Sequence, residues 1–265
     1  MRAAIQSSGD AGAPVTILAT GPLTNVALLL LTSPELASPR YIREIVLMGG
    51  AVGVGNTGPA AEFNIQVDPE SAHIVFESGL PVVMVPLEVT HTALVTPAVL
   101  GRIRAIGTPF ASFICDLMLY FRDAYKTVFG FSSPPLHDPC AVAYLLDPGM
   151  FETHLMRVDI DYESRLCYGR TVCDIYGRDV RAKNVRVCLR MDVEKFWELV
   201  LDALRQADQR SCLNQPQDGQ TLYASKTEAE DAAAAAAAAP GQVTVETAGP
   251  RAVVLQNLPP RADSA

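Results

Sequence analysis

The sequence predicts an α/β fold in which a mostly parallel central sheet is flanked by helices. Short β-branched or apolar runs alternate with helical patterns along the chain, and this alternation is typical of parallel sheets. Residues 81–89 are apolar at nearly every position, as expected of a strand that helices cover on both faces.

The first part of the chain is expected to contain three strands and two helices. The strands are predicted at residues 15–19, 44–48 and 81–89, and the helices at residues 23–31 and 69–79. The second helix has Asp68 as its predicted N-cap and a proline at its first position. Residues 49–66 are expected to form a long, glycine-rich loop.

The second part is expected to begin with helices and to end with shorter strands. Residues 97–130 have helical periodicity, and Phe110, Phe113, Leu117 and Phe121 form one stripe that we interpret as core packing rather than a cofactor site. A helix is predicted from His137-Asp138-Pro139 to Leu146. Alternating runs at 155–160, 165–173 and 185–191 predict peripheral antiparallel strands, and residues 193–204 predict a closing amphipathic helix.

Composition favours one main domain, at residues 1–208, followed by a tail. The 265 residues are 49% hydrophobic and 19% charged, which suits a soluble domain with a full core. Residues 209–265 are rich in Gln, Asp, Ala, Pro and Ser and show no packed core, so we expect a disordered tail.

Charge, hydropathy and cysteine spacing exclude several classes of function. The net charge of −8 and the absence of a Lys/Arg block disfavour nucleic acid as a partner. No segment reaches the roughly 18 apolar residues of a membrane span, and no signal peptide is evident, so a cytoplasmic location is expected. The six cysteines have no C-x-x-C pair, which argues against zinc and disulfides and predicts reduced, mostly buried thiols.

The loop at residues 49–66 contains the first candidate binding residues, Asn56, Glu62 and Asn64. Loops at the carboxyl ends of parallel strands are where α/β folds bind ligands. If the chain is extended, Glu62 and Asn64 point the same way and offer a carboxylate and an amide to a sugar. A turn-forming Asn and a solvated Glu explain the same residues equally well.

The second candidate is His137-Asp138, which also has two interpretations. Asp138 can be a simple helix cap, or it can be a ligand of a hard cation such as calcium. In the functional interpretation, His137, with an ordinary pKa of about 6.5, donates a proton to a leaving group. His91 is interpreted as structural.

Four motifs, in order along residues 14–204, resemble the inosine/uridine-preferring nucleoside hydrolases. They are ILATGPLTN at residues 17–25, MGGA at residues 48–51 with Gly55-Asn56, AEFNI at residues 61–65 with DPESA at residues 68–72, and His137-Asp138-Pro139. The resemblance implies hydrolysis of the N-glycosidic bond of a ribonucleoside to free base and ribose, in nucleoside catabolism or salvage. The partner implied is a small-molecule nucleoside, and the chain is expected to form a homo-oligomer.

The same resemblance assigns roles to individual residues. The carbonyl of Thr20 and the carboxylate of Asp138 are expected to bind Ca²⁺, and His137 is expected to be the acid that protonates the leaving base. The residues expected to bind ribose are Met48, Asn56, Glu62 and Asn64. Aromatic residues within 120–131 are a candidate place for base stacking, and base preference stays open.

The sequence departs from the family at its beginning. The family has an Asp-x-Asp-x-x-x-Asp-Asp cluster after its first strand, which supplies most calcium ligands and the general base, whereas Asp10 is the only acid before residue 35 here. Thr20, Asp138, two ribose hydroxyls and a water fall short of a charge-balanced calcium site. Glu88 also replaces the Asp that relatives have before Val-Thr-His.

These departures predict that N-terminal strands are missing and that the strand at residues 15–19 lies at an exposed sheet edge. Three interpretations follow: a fragment of a working hydrolase, an inactive nucleoside-binding or interaction protein, or one part of a split enzyme. We favour the first because the remaining candidate site residues are all present.

Overall fold

The computed structural model describes residues 1–214 and 253–255, except for the side chains of residues 123, 124 and 253–255. The chain divides into two compact units. Of the described residues, the first comprises Met1–Ala93, Pro135–Phe196 and residues 253–255, and the second comprises Leu94–Pro134 and residues 197–214. The predicted boundary near residue 208 stays a prediction.

The first unit contains the strands, and in chain order they are β1 (Val15–Ala19), β2 (Ile42–Met48), β3 (Val82–Val85), β4 (Phe151–Met156), β5 (Val158–Asp161), β6 (Arg170–Cys173), β7 (Val185–Met191) and β8 (Val253–Leu255). The main sheet has the order β4-β7-β3-β2-β1-β8, and its four central strands are parallel. The outer strands β4 and β8 are antiparallel to their neighbours. Strands β5 and β6 form a separate antiparallel hairpin.

The α-helices in the described part of the chain are α1 (Arg2–Asp10), α2 (Thr24–Thr32), α3 (Phe63–Gln66), α4 (Pro69–Phe76), α5 (Leu87–Thr90), α6 (Pro97–Arg104), α7 (Pro109–Phe129), α8 (Asp138–Leu146) and α9 (Val193–Arg210). Among the described residues, no helix combines the length and the apolar character that a bilayer span requires. The mostly parallel sheet flanked by helices confirms the predicted fold class.

The alternating side chains of the central strands explain why helices cover both faces of the sheet. On one face, Ile17, Ile45 and Met84 join one hydrophobic cluster with residues of α1, α2 and α4. The intervening residues, among them Val46 and Val83, point to the other face and are buried as well. Helix α8 contacts β2. The continuous apolar runs in the sequence therefore reflect burial on both faces.

The predicted helix starts agree with the structure where a local cap specifies them. Asp68 accepts a hydrogen bond from the Ser71 backbone N–H at 3.0 Å, and Pro69 begins α4 as predicted. Helix α8 runs from Asp138 to Leu146, as the sequence indicated. The Asp138 side chain does not cap it, because His137 occupies the N-cap position.

The second unit is helical, and its packing differs from the prediction. Within this unit the Thr108 hydroxyl donates to Asp208 at 2.5 Å, and the Asn214 side chain accepts the Phe110 N–H at 3.1 Å. The interpretation of the α7 stripe as core is wrong at Leu117 and Phe121, which are 45% and 49% exposed.

Several predicted boundaries are corrected by the structure. The segment 81–89 is not one strand, since β3 ends at Val85 and α5 follows. Strand β7 is not peripheral, because it pairs with both β3 and β4. Strand β1 is not an exposed edge, because β8 pairs with it, Thr16 opposite Leu255. The rest of the predicted tail, residues 215–252 and 256–265, lies outside the described residues.

Candidate functional site

The candidate site is built around the segment that follows β2. The chain leaves the strand at Met48 and turns at Gly50, whose φ of 77° lies in the left-handed region that favours glycine. A Cβ on Gly50 would lie 2.7 Å from the Met84 sulfur and 3.0 Å from the Thr171 methyl carbon. The turn is therefore closely packed and requires glycine.

The backbone after this turn is held by side chains from three other elements. The N–H groups of Gly50, Ala51, Val52 and Gly53 donate in succession to Glu62 Oε2, Thr171 Oγ1, Glu88 Oε2 and Glu88 Oε1, at 2.8–3.0 Å. Four consecutive donors thus find acceptors without forming regular secondary structure. The loop is a fixed structural element rather than an open turn.

Glu62 is the N-cap of α3 and the most enclosed residue of the candidate site. Its carboxylate is 2% exposed and accepts the N–H groups of Gly50, Asn64 and Ile65 at 2.9–3.2 Å. The pKa of Glu62 is raised, mainly by burial and to a smaller extent by the negative charge of Asp138. The three hydrogen bonds lower the pKa but do not cancel the rise. The Asp138 charge therefore acts on Glu62 electrostatically.

Asn56 and Gly55 close the loop onto the start of α3. The Asn56 side-chain oxygen accepts the Phe63 N–H at 2.8 Å, and the Asn56 N–H donates to the Ala61 carbonyl at 3.0 Å. A Cβ on Gly55 would lie 2.1 Å from the same Ala61 oxygen, so a side chain cannot be accommodated there without backbone movement.

Asn64 lies in α3 and is not extended, so the extended conformation in which Glu62 and Asn64 would point the same way does not occur. They are brought together by a cap instead. The buried Asn64 amide nitrogen donates to the Met48 carbonyl at 3.1 Å and lies 3.6 Å from the Met48 sulfur. The structure therefore brings Met48, Glu62 and Asn64 into one hydrogen-bonded cluster, and Asn56 joins it through Phe63.

His137 packs in a second cluster, at the end of α5. Its Nδ1 lies 2.8 Å from the hydroxyl of the buried Thr90, and its ring lies edge-on to His91 at 5.6 Å between ring centres. Burial, with a smaller contribution from His91, lowers the pKa of His137 to about 4. The imidazole is therefore neutral at neutral pH, in contrast to the ordinary value used for the sequence prediction.

Asp138 and Thr20 are the predicted calcium ligands. Asp138 is exposed, although the surrounding protein removes enough water to raise the pKa of its carboxyl. Among residues 1–214 and 253–255, no group of three or more His, Cys, Asp or Glu side chains could hold a metal ion. Calcium requires about six to eight oxygen ligands. The residues present therefore do not fit calcium by themselves.

The thiols beside this site are poor nucleophiles. Burial raises the pKa of Cys140 and of Cys188 to about 12, with the nearby Asp138 charge adding to the rise at Cys140. All six cysteines are free, and three of them, Cys115, Cys140 and Cys188, are buried. The carboxylates, amides and imidazoles are therefore better candidates than the thiols for reacting groups of this chain.

The sequence did not predict that three further residues contact the candidate site. Thr90 orients His137, and Thr171 and Glu88 bind the loop backbone. The Val-Thr-His sequence around Thr90 offered a weak signal. Thr171 offered none, because it lies 120 residues from Ala51 along the chain.

The fold and the site define a class of protein. They combine a parallel α/β sheet, an Asn/Glu/Asn cluster after a central strand, and a His-Asp pair at a helix start. A sequence model of the family described as inosine-uridine preferring nucleoside hydrolase matches residues 1–198. The chain belongs to this family.

Curated relatives agree with this assignment. A probable ribonucleoside hydrolase of Dictyostelium discoideum is 50% identical over 196 residues, which cover 72% of this chain and 57% of the relative. A pyrimidine-specific ribonucleoside hydrolase of an Enterobacter species is 46% identical over 194 residues, covering 73% of this chain and 61% of the relative. The chain thus spans about three fifths of the length of these curated relatives.

Solved structures have the same fold. The purine-preferring ribonucleoside hydrolase from Gardnerella vaginalis is 31% identical, with a TM-score of 0.71 over 79% of this chain and 66% of that chain. A plant nucleoside hydrolase is 26% identical, with a TM-score of 0.68 over 76% of this chain and 65% of that chain.

Proposed function

We propose that this chain binds the ribose of a small-molecule ribonucleoside and forms much of a site at which the N-glycosidic bond is hydrolysed. The cluster of Glu62, Asn64 and Asn56 beside Asp138 carries this proposal. Carboxylate and amide groups suit the hydroxyls of a sugar. Hydrogen bonds from Gly50, Asn64 and Ile65 orient the Glu62 carboxylate before a ligand arrives.

In the proposed reaction, the oxygen of water bonds to the anomeric carbon, the glycosidic bond breaks with its electron pair passing to the base, and one proton of the water is transferred, net, to the departing base. Positive charge grows on the ribosyl ring, and the nearby Glu62 carboxylate would stabilise it. The leaving base needs a proton or a hydrogen bond, and His137 is the proposed donor. A neutral His137 would assist through its N–H group, because its pKa of about 4 leaves little imidazolium at neutral pH.

Thr20 and Asp138 stay predicted calcium ligands, and no reaction step is assigned to calcium. The small number of acidic ligands around Asp138 within the described residues supports a second candidate function, nucleoside binding without turnover. The two functions share one ribose site. They differ in whether bound nucleoside is cleaved.

One experiment separates them. The purified chain is incubated with inosine and with uridine, with added calcium or with chelator, and reducing sugar is measured beside calorimetric binding. Asp138→Ala is compared with Asp202→Ala, a matched change at an exposed helix residue. Calcium-dependent release that only Asp138→Ala abolishes would establish the hydrolase. Binding without release would establish the second function. Neither binding nor release by folded protein would refute both.

A further inference from the structure

The β5–β6 hairpin contacts the predicted ribose-binding loop through one buried side chain. Thr171 of β6 is 1% exposed, and its hydroxyl both accepts the Ala51 N–H at 2.9 Å and donates to the Ala51 carbonyl. One hydroxyl therefore satisfies both backbone groups of a single loop residue. Its methyl carbon would lie 3.0 Å from a Cβ on Gly50.

We propose that Thr171 is a positioning residue for the predicted ribose site, which fixes Gly50 and Ala51 so that the Glu62 carboxylate is held in its binding orientation. The proposal rests on the proposed function for the identity of the ligand. It adds a residue outside the matching motifs, and it makes the hairpin part of the binding apparatus.

The connection between Thr171 and Glu62 passes through Gly50. Glycine has the widest conformational freedom of all residues, so a glycine at φ 77° needs its neighbours to hold it in one conformation. Thr171 constrains the next residue, Ala51, through two hydrogen bonds. The Gly50 N–H then donates to Glu62 Oε2 at 2.9 Å. Removing the Thr171 hydroxyl should therefore weaken the hydrogen bond from the Gly50 N–H to Glu62.

The hairpin can act as a support because ion pairs anchor it. Arg157 is 8% exposed and binds both Glu77, which follows α4, and Asp159 of β5. Arg181 binds Asp159 from the other side at 2.7 Å. Within the hairpin, Ile160 of β5 pairs with Thr171. Thr171 is thus placed on a braced strand rather than on a free loop.

The test compares two substitutions that remove the hydroxyl and the methyl group of Thr171 separately. Thr171→Val keeps the shape and loses the hydroxyl, whereas Thr171→Ser keeps the hydroxyl and loses the methyl group. Thr153→Val, in which a partly exposed threonine of β4 is changed in the same way, is the control. Hydrogen exchange of single amides is followed by NMR, and binding of inosine and uridine is followed by calorimetry.

We expect Thr171→Val to speed exchange at Ala51 and also at Gly50, Asn64 and Ile65, the donors to Glu62, and to weaken nucleoside binding about tenfold, as for loss of one buried hydrogen bond. Thr171→Ser should stay within about twofold of the native protein on every readout, since its hydroxyl remains. Thr153→Val should leave all four amides unchanged.

Two results would overturn the proposal. One is faster exchange confined to Ala51 in Thr171→Val, with the donors to Glu62 unaffected. The other is native binding affinity in Thr171→Val. If the native chain binds no nucleoside, the proposed function fails, but the exchange pattern still decides whether Thr171 controls the donors to Glu62.

Discussion

Glu62 and Asp138 are the two carboxylates of the candidate site, and their surroundings differ. Glu62 is buried and accepts three backbone N–H groups. Asp138 begins α8 and is exposed, with no protein donor to its carboxylate among the residues that the structure describes. The part of the site that is proposed to bind ribose, here called the ribose half, is thus built into the fold of this chain. The predicted calcium ligands, the Thr20 carbonyl and Asp138, are here called the metal half, and among the described residues no group of three or more His, Cys, Asp or Glu could hold a metal ion.

The difference shows that one candidate site can combine a preformed part, around Glu62, with an incomplete part, around Asp138. Glu62, Asn56 and Asn64 also hold the loop and α3 together, so the fold itself requires them. Within the part of the chain that the structure describes, the Asp138 side chain does not cap α8. Substitutions should therefore change stability in the ribose half and leave it nearly unchanged in the metal half.

The largest effect is expected from Gly55→Ala in the ribose half. The new Cβ would meet the Ala61 backbone at 2.1 Å, so the loop must move, and we expect a loss of about 3 kcal/mol in the free energy of unfolding. Urea denaturation measures it. Gly101→Ala, in α6 with nothing within 4 Å of its Cβ, should instead add about 0.5–1 kcal/mol. An unchanged free energy of unfolding in Gly55→Ala would contradict the claim that the loop is rigid.

The next effect compares the two carboxylates directly. Glu62→Gln places an amide N–H₂ group against backbone donors, and we expect a cost of about 2 kcal/mol at neutral pH. Asp138→Asn should change stability by no more than about 0.5 kcal/mol, because the side chain is exposed. Both are measured by urea denaturation under identical conditions. Equal costs for the two variants would remove the distinction between the halves.

A smaller effect is expected at Glu88, which binds the loop from α5. Glu88→Gln keeps one of two acceptor oxygens, so Val52 or Gly53 loses its partner at a cost of about 1 kcal/mol. Glu152→Gln, at an exposed ion pair of 3.7 Å, is the matched control and should cost nothing measurable. If Glu88→Gln equals this control, the loop does not depend on α5.

The smallest effect concerns pH and the hairpin that supports the loop. Hydrogen bonds from Arg157 and Arg181 outweigh burial and lower the pKa of Asp159, and Arg181 lowers the pKa of Asp179 to about 2. Because both folded pKa values lie below the unfolded value of about 3.9, their stabilisation is present above that pH and is lost as the pH falls toward 2. As the pH is lowered, the Ala51 amide should lose its protection from hydrogen exchange at a higher pH than the Cys140 amide does. Arg181→Gln should remove this order, and the opposite order in the native protein would contradict it.

Sequence reasoning predicted the fold where the signals are local. The bounds of β1 and α8 and the Asp68 cap follow from short runs and from Pro and Asp at helix starts. Helix α3 was missed because its cap is Glu62, and glutamate is not among the usual capping residues. The pairing of β1 with β8 depends on residues more than 230 positions apart, and no local pattern specifies it.

The structure brings together three residues that the motifs assigned to one site, Met48, Glu62 and Asn64, through hydrogen bonds that the motifs did not reveal. Their ribose-binding role stays a prediction. The low pKa of His137 depends on its burial beside His91, which spacing does not reveal. Thr171 is brought to Ala51 by the hairpin fold, and only tertiary structure could show it.

Calorimetric titration of the chain with inosine and uridine in the presence of chelator tests the preformed ribose half most directly. We expect saturable binding without added calcium, and we expect Glu62→Gln to abolish this binding and Asp138→Asn to retain it. Binding that appears only with calcium and disappears in Asp138→Asn would contradict it, and so would the absence of any binding by folded protein.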